Sequence, residues 1–210
     1  MKVIVFDLDD TLVPEMAYLE SAFKEISALA NPDDPGVFES MMKCYREKGD
    51  VFAMLCEAYP FLEKDDLKRV YRYHFPDFDD YREVKTILEE IRARGYRTGL
   101  ITDGYSVTQR NKIRALGIED LFDKIVISEE FGSTKPDLRN FEAFHEFGPG
   151  EYFYVSDNVN KDFIAPNQLG WKTICLMDAG RNIHKQDFNK DLVYLPSSKI
   201  QRLSELLAQI

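Results

Sequence analysis

The sequence predicts an α/β fold: a Rossmann-like parallel sheet with helices on both faces, plus an inserted α-helical cap. Three observations carry that expectation. Val3-Ile4-Val5-Phe6 is an apolar, mostly β-branched run, as expected of a strand buried on both faces. Residues 15–78 are patterned as helix almost throughout. From residue 81 onward, short apolar runs alternate with helix-spaced segments.

Taken in order, the opening strand ends at Asp7, and Pro14 closes the turn that follows. Met16, Leu19, Phe23, Ile26 and Leu29-Ala30 carry helical spacing, and Asn31-Pro32-Asp33-Asp34-Pro35-Gly36 is a dense turn. Further helices are expected over 37–48, 51–59 and from Asp65 through Phe75. After Pro76-Asp77-Phe78 the pattern changes to a helix over 81–94 stopped at Gly95, a strand over 98–101, and a helix over 106–116 stopped at Gly117. A strand over 124–128, a helix over 137–147, a strand over 152–155, a helix over 162–169 and a strand over 172–176 continue the alternation. Val193-Tyr194-Leu195 is expected to add a late strand and residues 200–210 a closing helix. The domain expectation is therefore a core made of 1–14 and 79–210, with 15–78 as a helical cap.

Bulk properties exclude several classes. A net charge of −10 argues against nucleic acid or an anionic membrane as the main partner. No apolar run approaches the roughly 18 to 20 residues of a membrane span. Met1 leads straight into the first strand, so a cytoplasmic protein without a leader is expected, as monomer or homodimer. Cys44, Cys56 and Cys175 show no CxxC pairing and read as reduced thiols, while His74, His145 and His184 lack zinc-ligand spacing.

The chemistry concentrates at strand ends, where ligands bind in open α/β sheets. Asp7-Leu8-Asp9-Asp10-Thr11 follows the first strand, so Asp7 and Asp9 share one space while Leu8 anchors in the core. Such a pair suits a nucleophilic carboxylate beside a general acid/base, with a divalent cation to relieve the repulsion. Thr102-Asp103-Gly104 ends the next strand, where a hydroxyl and free N–H groups would seat a phosphate. Lys135, before Pro136, would add a positive point charge. Asp157 ends a later strand, placed to complete an oxygen shell for Mg²⁺, and Asp162 would support from behind. Each of these segments read singly is also compatible with helix capping or turn formation.

Together, Asp7-Leu8-Asp9-Asp10-Thr11, Thr102-Asp103-Gly104, Lys135-Pro136 and Asp157 with Asp162 resemble the four ordered motifs of the haloacid dehalogenase-like (HAD) hydrolase superfamily. The helical block resembles the cap that this superfamily inserts between its first two motifs. Gln109, Lys112-Ile113, Leu116-Gly117-Ile118 and Ser128-Glu129-Glu130-Phe131-Gly132 look like the branch containing N-acylneuraminate-9-phosphate phosphatase and the pyrimidine 5′-nucleotidases.

The resemblance implies a Mg²⁺-dependent phosphomonoesterase for a small phosphorylated metabolite, a sugar phosphate or nucleoside monophosphate. In that reading Asp7 is the nucleophile and Asp9 the acid/base. Thr102, Asp103, Gly104 and Lys135 hold the phosphoryl group, with Thr102 and Lys135 also catalytic. Asp7, Asp9 through its backbone carbonyl, Asp157 and Asp162 form the metal site. Two departures stand out: Ser156 replaces the usual glycine before Asp157, and Leu138 a common proline. The dehalogenase branch carries tyrosine at the position of Asp9, which favours phosphate chemistry here. A phosphosugar mutase and a non-catalytic binding protein of the same fold are the alternatives. Tyr18, Arg46, Tyr71 and Arg72 are the cap residues expected to approach the leaving group.

Overall fold

The structure, a computed structural model, describes residues 1–78 and 81–210. Six parallel strands form one sheet in the order β3-β2-β1-β4-β5-β6. They are β1 (Lys2–Phe6), β2 (Arg97–Thr102), β3 (Lys124–Ile127), β4 (Glu151–Ser156), β5 (Lys172–Leu176) and β6 (Ser198–Ile200). β1 lies between β2 and β4, with Phe6 beside Leu100 and Val155. The ends of β1, β2 and β4 therefore open onto one crevice, where the strand order reverses direction along the chain.

The apolar runs are strands because both faces are covered. Ile4, Phe6, Leu100 and Phe153 pack against helix α5 (Arg82–Ala93), while Val3, Val5, Ile101 and Tyr154 pack against Phe141, Phe144 and Trp171. β2 contains a glycine for a steric reason: a Cβ on Gly99 would come within 2.2 Å of the Phe144 ring.

Four helices precede α5: α1 (Glu15–Ala30), α2 (Gly36–Arg46), α3 (Val51–Ala58) and α4 (Lys64–Tyr73). They have a hydrophobic cluster of their own, built on Phe23, Ile26, Met41, Leu55 and Leu67. The second expected crossing between helical block and sheet, near Asp79, lies outside the described residues.

After β2 come α6 (Ser106–Ala115), the short α7 (Ser128–Phe131), α8 (Leu138–Glu142) and α9 (Ile164–Gln168). Several expected bounds change. The helix expected over 137–147 is α8 followed by a 3₁₀ segment, Ala143–Phe147. The one expected over 162–169 is reduced to α9, preceded by turns. Ser128 starts α7 rather than extending β3.

Two expectations near the C-terminus are overturned. Val193-Tyr194-Leu195 is not a strand; the Asn167 amide donates to both the Val193 and Leu195 carbonyls at 2.9 Å, taking the acceptors a sheet would use. The sixth strand is instead Ser198–Ile200, and Met177 N–H donates to the Ile200 carbonyl. Ile200 thus belongs to the sheet, and the closing helix is only a 3₁₀ segment, Leu203–Ala208. No helix among the described residues is long and apolar enough to cross a membrane.

Candidate active site

Asp7 follows β1 directly, and its N–H donates to the Val155 carbonyl at 2.9 Å, extending the β1–β4 ladder by one bond. Its carboxylate is nearly buried. Lys135 Nζ lies 2.6 Å from Asp7 Oδ1 and 2.6 Å from Asp162 Oδ2. Asp162 Oδ2 also accepts from Ser156 Oγ at 2.7 Å and from Tyr154 Oη at 3.2 Å. The serine that replaces a glycine thus holds the acid six residues ahead of it.

Burial pushes the Asp7 carboxyl up to about 7; Lys135 opposes that shift, and Asp162 and Asp9 reinforce it. Burial works against the charge on Lys135, but Asp162 and Asp7 outweigh it and hold the ammonium well above its usual range. Burial, then the nearby Asp7 and Asp10, push Asp157 up to about 8.

Asp9 is turned the other way. Its Oδ1 lies 2.6 Å from Lys112 Nζ, and its Oδ2 accepts from the Gln109 amide at 2.9 Å. The same amide donates to Thr102 Oγ1. Lys112 is buried, and its ammonium stands 4.7 Å from the centre of the Tyr18 ring of α1. Gln109 and Lys112 are one helical turn apart on α6, which brings both to one face. In the sequence they stand out only by resemblance to a family branch, and nothing there pairs them with Asp9.

Asp10, at φ 55°, accepts from the Glu15 N–H at 2.8 Å and from the Ile183 N–H at 3.0 Å. It therefore ties the start of α1 to the loop after β5. That loop also supplies Asn182, whose amide donates to Asp157 Oδ2 at 2.7 Å, and Gln186, whose amide donates to the Asp157 carbonyl at 2.7 Å. Asp157 N–H donates to Thr11 Oγ1. Asn182 and Gln186 carry no sequence signal, because their loop has no regular pattern.

The second strand end differs from expectation in two respects. The Gly104 N–H, expected to be free for a phosphate, donates to Ser128 Oγ at 2.9 Å. The Asp103 carboxylate accepts from Lys135 N–H at 3.1 Å and pairs with Lys161 Nζ at 2.6 Å. Thr102 is nearly buried and faces the same cavity as Asp7.

Among the described residues, no three acidic, histidine or cysteine side chains converge into a ready cation cage. The oxygen donors present still suit a hard cation that keeps several waters. The buried Asp7 stands close enough to Asp157 to raise it, and Asp162 Oδ1 is buried with no hydrogen-bond partner. Asp9 presents its side chain to Lys112 and Gln109, which leaves its backbone carbonyl for such an ion.

Two cavities meet here. One, about 160 Å³, is lined by Asp7, Thr102, Lys135 and Asp157, with Lys161 and His184. The other, about 260 Å³, lies beneath α1 and α4 and is lined by Tyr18, Tyr71, Arg72 and Lys112 among others. Asp9, Glu15 and Asp103 line both and form the neck. Of the four cap residues expected near a leaving group, three line the second cavity. Arg46 does not; it borders a separate hollow with Tyr45 and Arg181.

Comparison with known proteins agrees with this architecture. The model of the haloacid dehalogenase-like hydrolase family matches residues 4–176. A glyceraldehyde 3-phosphate phosphatase of Methanocaldococcus jannaschii is 31% identical, covering 84% of this chain and 85% of its own. The pyrimidine 5′-nucleotidase YjjG of Escherichia coli is 32% identical over 45% of this chain and 43% of its own. Among solved structures, the putative HAD-hydrolase YfnB of Bacillus subtilis superposes with a TM-score of 0.66 at 16% identity, over 99% of this chain and 97% of that one, and so shares the fold. With its family model spanning most of the sequence and its sheet order, crevice and acidic strand ends in place, the chain belongs to the haloacid dehalogenase-like hydrolase family.

Proposed function

We propose that this protein is a Mg²⁺-dependent phosphomonoesterase acting on a small phosphorylated metabolite through an aspartyl-phosphate intermediate. One observation carries the reading: Asp9 stands at the neck between a small polar cavity holding Asp7 and Lys135 and a larger cavity under the helical block. A phosphoryl group in the first cavity and its alcohol in the second would put the ester oxygen beside Asp9. Relatives bearing the names of phosphatases of small metabolites support the same class.

In this reading an Asp7 carboxylate oxygen attacks phosphorus, the ester P–O bond breaks, and the departing oxygen takes a proton from Asp9. Asp9, now ionised, takes a proton from water as that water attacks phosphorus. The aspartyl P–O bond breaks, releasing phosphate and restoring Asp7. Lys135 offsets charge on the phosphoryl oxygens and keeps Asp7 oriented through its 2.6 Å contact. Thr102 offers a hydroxyl to the same oxygens. Asp103 and Gly104 act by shaping the turn, since a carboxylate repels phosphate and the Gly104 N–H is engaged. Asp7, the Asp9 carbonyl and Asp157, with Asp162 behind them, would hold Mg²⁺, which supplies charge neutralisation of the transferring group when bound. Residues 15–78 serve as a cap, closing the second cavity over the leaving group.

The test is phosphate release from a panel of phosphorylated metabolites, with and without Mg²⁺, for the native protein and Asp7→Asn. Mg²⁺-dependent release lost in the variant is the expected result. Release that survives Asp7→Asn overturns the nucleophile assignment.

A further inference from the structure

The second cavity has an uneven distribution of charge. Among the described residues, every acid that lines it, Asp9, Glu15 and Asp103, belongs to the neck shared with the phosphate cavity. Among the described residues, the walls not shared with the phosphate cavity carry three cations, Lys68, Arg72 and Lys112, and no acid; Arg72 also borders an outer hollow with Arg110 and Glu130. Counting the neck, acids and cations in the lining balance, so the positive charge is gathered on the wall away from the phosphate cavity, where an anionic group of the substrate would be received.

The three cations are not equivalent. Lys112 is committed to Asp9 at 2.6 Å. Lys68 pairs with Asp65 at 2.9 Å, one turn back on α4, where both side chains are largely exposed. Arg72 forms no ion pair among the described residues. Its guanidinium instead lies over the Tyr105 ring, 3.7 Å from the centroid, and its backbone carbonyl accepts from Thr108 Oγ1 at 2.8 Å. Stacking fixes the plane of the fork and leaves its edge N–H groups available. Glu129 and Glu130, which line the outer hollow with Arg72, are engaged with the start of α6, by Ser106 N–H and Ser106 Oγ respectively, and Glu130 also with Arg110.

We propose that the leaving alcohol of the substrate carries a second anionic group, a carboxylate or a second phosphate, which Arg72 binds from the α4 wall with Lys68 at the rim. This rests on the phosphomonoesterase reading above and names its substrate class. A planar, preoriented guanidinium suits bidentate contact with either anion. Because the contact is remote from the breaking bond, it should act on binding more than on turnover.

The experiment uses three esters with the same three-carbon chain: 3-hydroxypropyl phosphate, 3-phosphooxypropanoate and propane-1,3-diol bisphosphate. The native protein, Arg72→Met and Arg72→Lys are assayed in Mg²⁺. We expect kcat/KM for at least one anionic ester to exceed that of the neutral one by about 10- to 100-fold, mainly through KM. In Arg72→Met that ratio should fall to about 1, and Arg72→Lys should keep part of it. The better anionic ester identifies carboxylate or phosphate. A neutral ester turned over as well as both anionic ones, or a ratio unchanged in Arg72→Met, overturns the inference and leaves the phosphatase reading standing. No release from any of the three, nor from p-nitrophenyl phosphate, overturns both.

Discussion

Lys112 Nζ lies 2.6 Å from Asp9 Oδ1, while Gln109, one turn earlier on the same helix, donates to Asp9 Oδ2. Both oxygens of the proposed acid/base are thereby held from α6, across the neck between the two cavities. The pair fixes where a proton can be delivered. Removing Asp9 itself, as Asp9→Asn, should lower kcat by about 10²- to 10⁴-fold, the usual worth of a general acid/base. Lys112→Met keeps the carboxylate but frees its position, so a smaller loss of about 10-fold in kcat is expected, with KM little changed. Lys112→Arg should recover part of it. Steady-state kinetics in Mg²⁺ check this; a Lys112→Met protein with native kcat would make the contact purely structural.

Lys135 poses a sharper stability question, because its one ammonium is paired with two buried carboxylates. Lys135→Met leaves Asp7 and Asp162 buried without their cation. Breaking a buried pair from one side costs about 3–5 kcal/mol. The variant should lose activity and also unfold at clearly lower denaturant concentration. The double variant Lys135→Met/Asp162→Asn should regain part of that stability, since one unpaired charge is gone. Urea unfolding followed by circular dichroism gives both numbers.

These two lysines also mark how much was legible beforehand. Lys135 sits in a Lys-Pro step just before a helix start, within a recognisable motif, so its place in the crevice could be read from the sequence along with Asp7, Asp9, Thr102, Asp157 and Asp162. The central strands were legible for the same reason: runs such as Val3–Phe6 and Tyr152–Val155 have no amphipathic alternative. Lys112 is one cation on a helix rich in polar residues, and only the packing of α6 against α4 aims it at Asp9. Asn182 and Gln186 lie in an aperiodic loop. The C-terminal errors share a cause: Val193 and Ile200 look alike as short apolar stretches, and the side chain of Asn167, distant in sequence, decides which one pairs.

Acidic groups in the crevice give a definite pH dependence. Burial raises the carboxyls of Asp7 to about 7 and Asp157 to about 8, above the values they have in an unfolded chain. Between pH 5 and 8 the folded, metal-free protein therefore binds more protons than the unfolded one. Stability must then fall as pH rises across that window, because the slope follows the difference in bound protons. Thermal unfolding in EDTA should show a lower Tm at pH 8 than at pH 5.5. Asp157→Asn should reduce the difference, by about 2–4 °C for each kcal/mol recovered. Added Mg²⁺ should raise Tm most at pH 8, where the carboxylates need no proton displaced. A Tm that rises with pH in EDTA would contradict the burial of these groups.

Ser156 offers the most local test. Its hydroxyl donates to Asp162 Oδ2 at 2.7 Å and accepts from the Asn158 N–H at 3.2 Å, joining the end of β4 to the acid that holds Lys135. Ser156→Gly removes both contacts and adds backbone freedom where the chain turns. A hydrogen bond to a charged group contributes about 1.5–3 kcal/mol, so a stability loss of that order is expected. Asp162 keeps Tyr154 and Lys135, so Lys135 should remain in place and kcat should fall by less than in Lys135→Met. Ser156→Ala separates the two effects, since it removes the hydroxyl without loosening the backbone. If Ser156→Ala matches the native protein in urea while Ser156→Gly does not, the backbone and not the hydroxyl is what this position contributes.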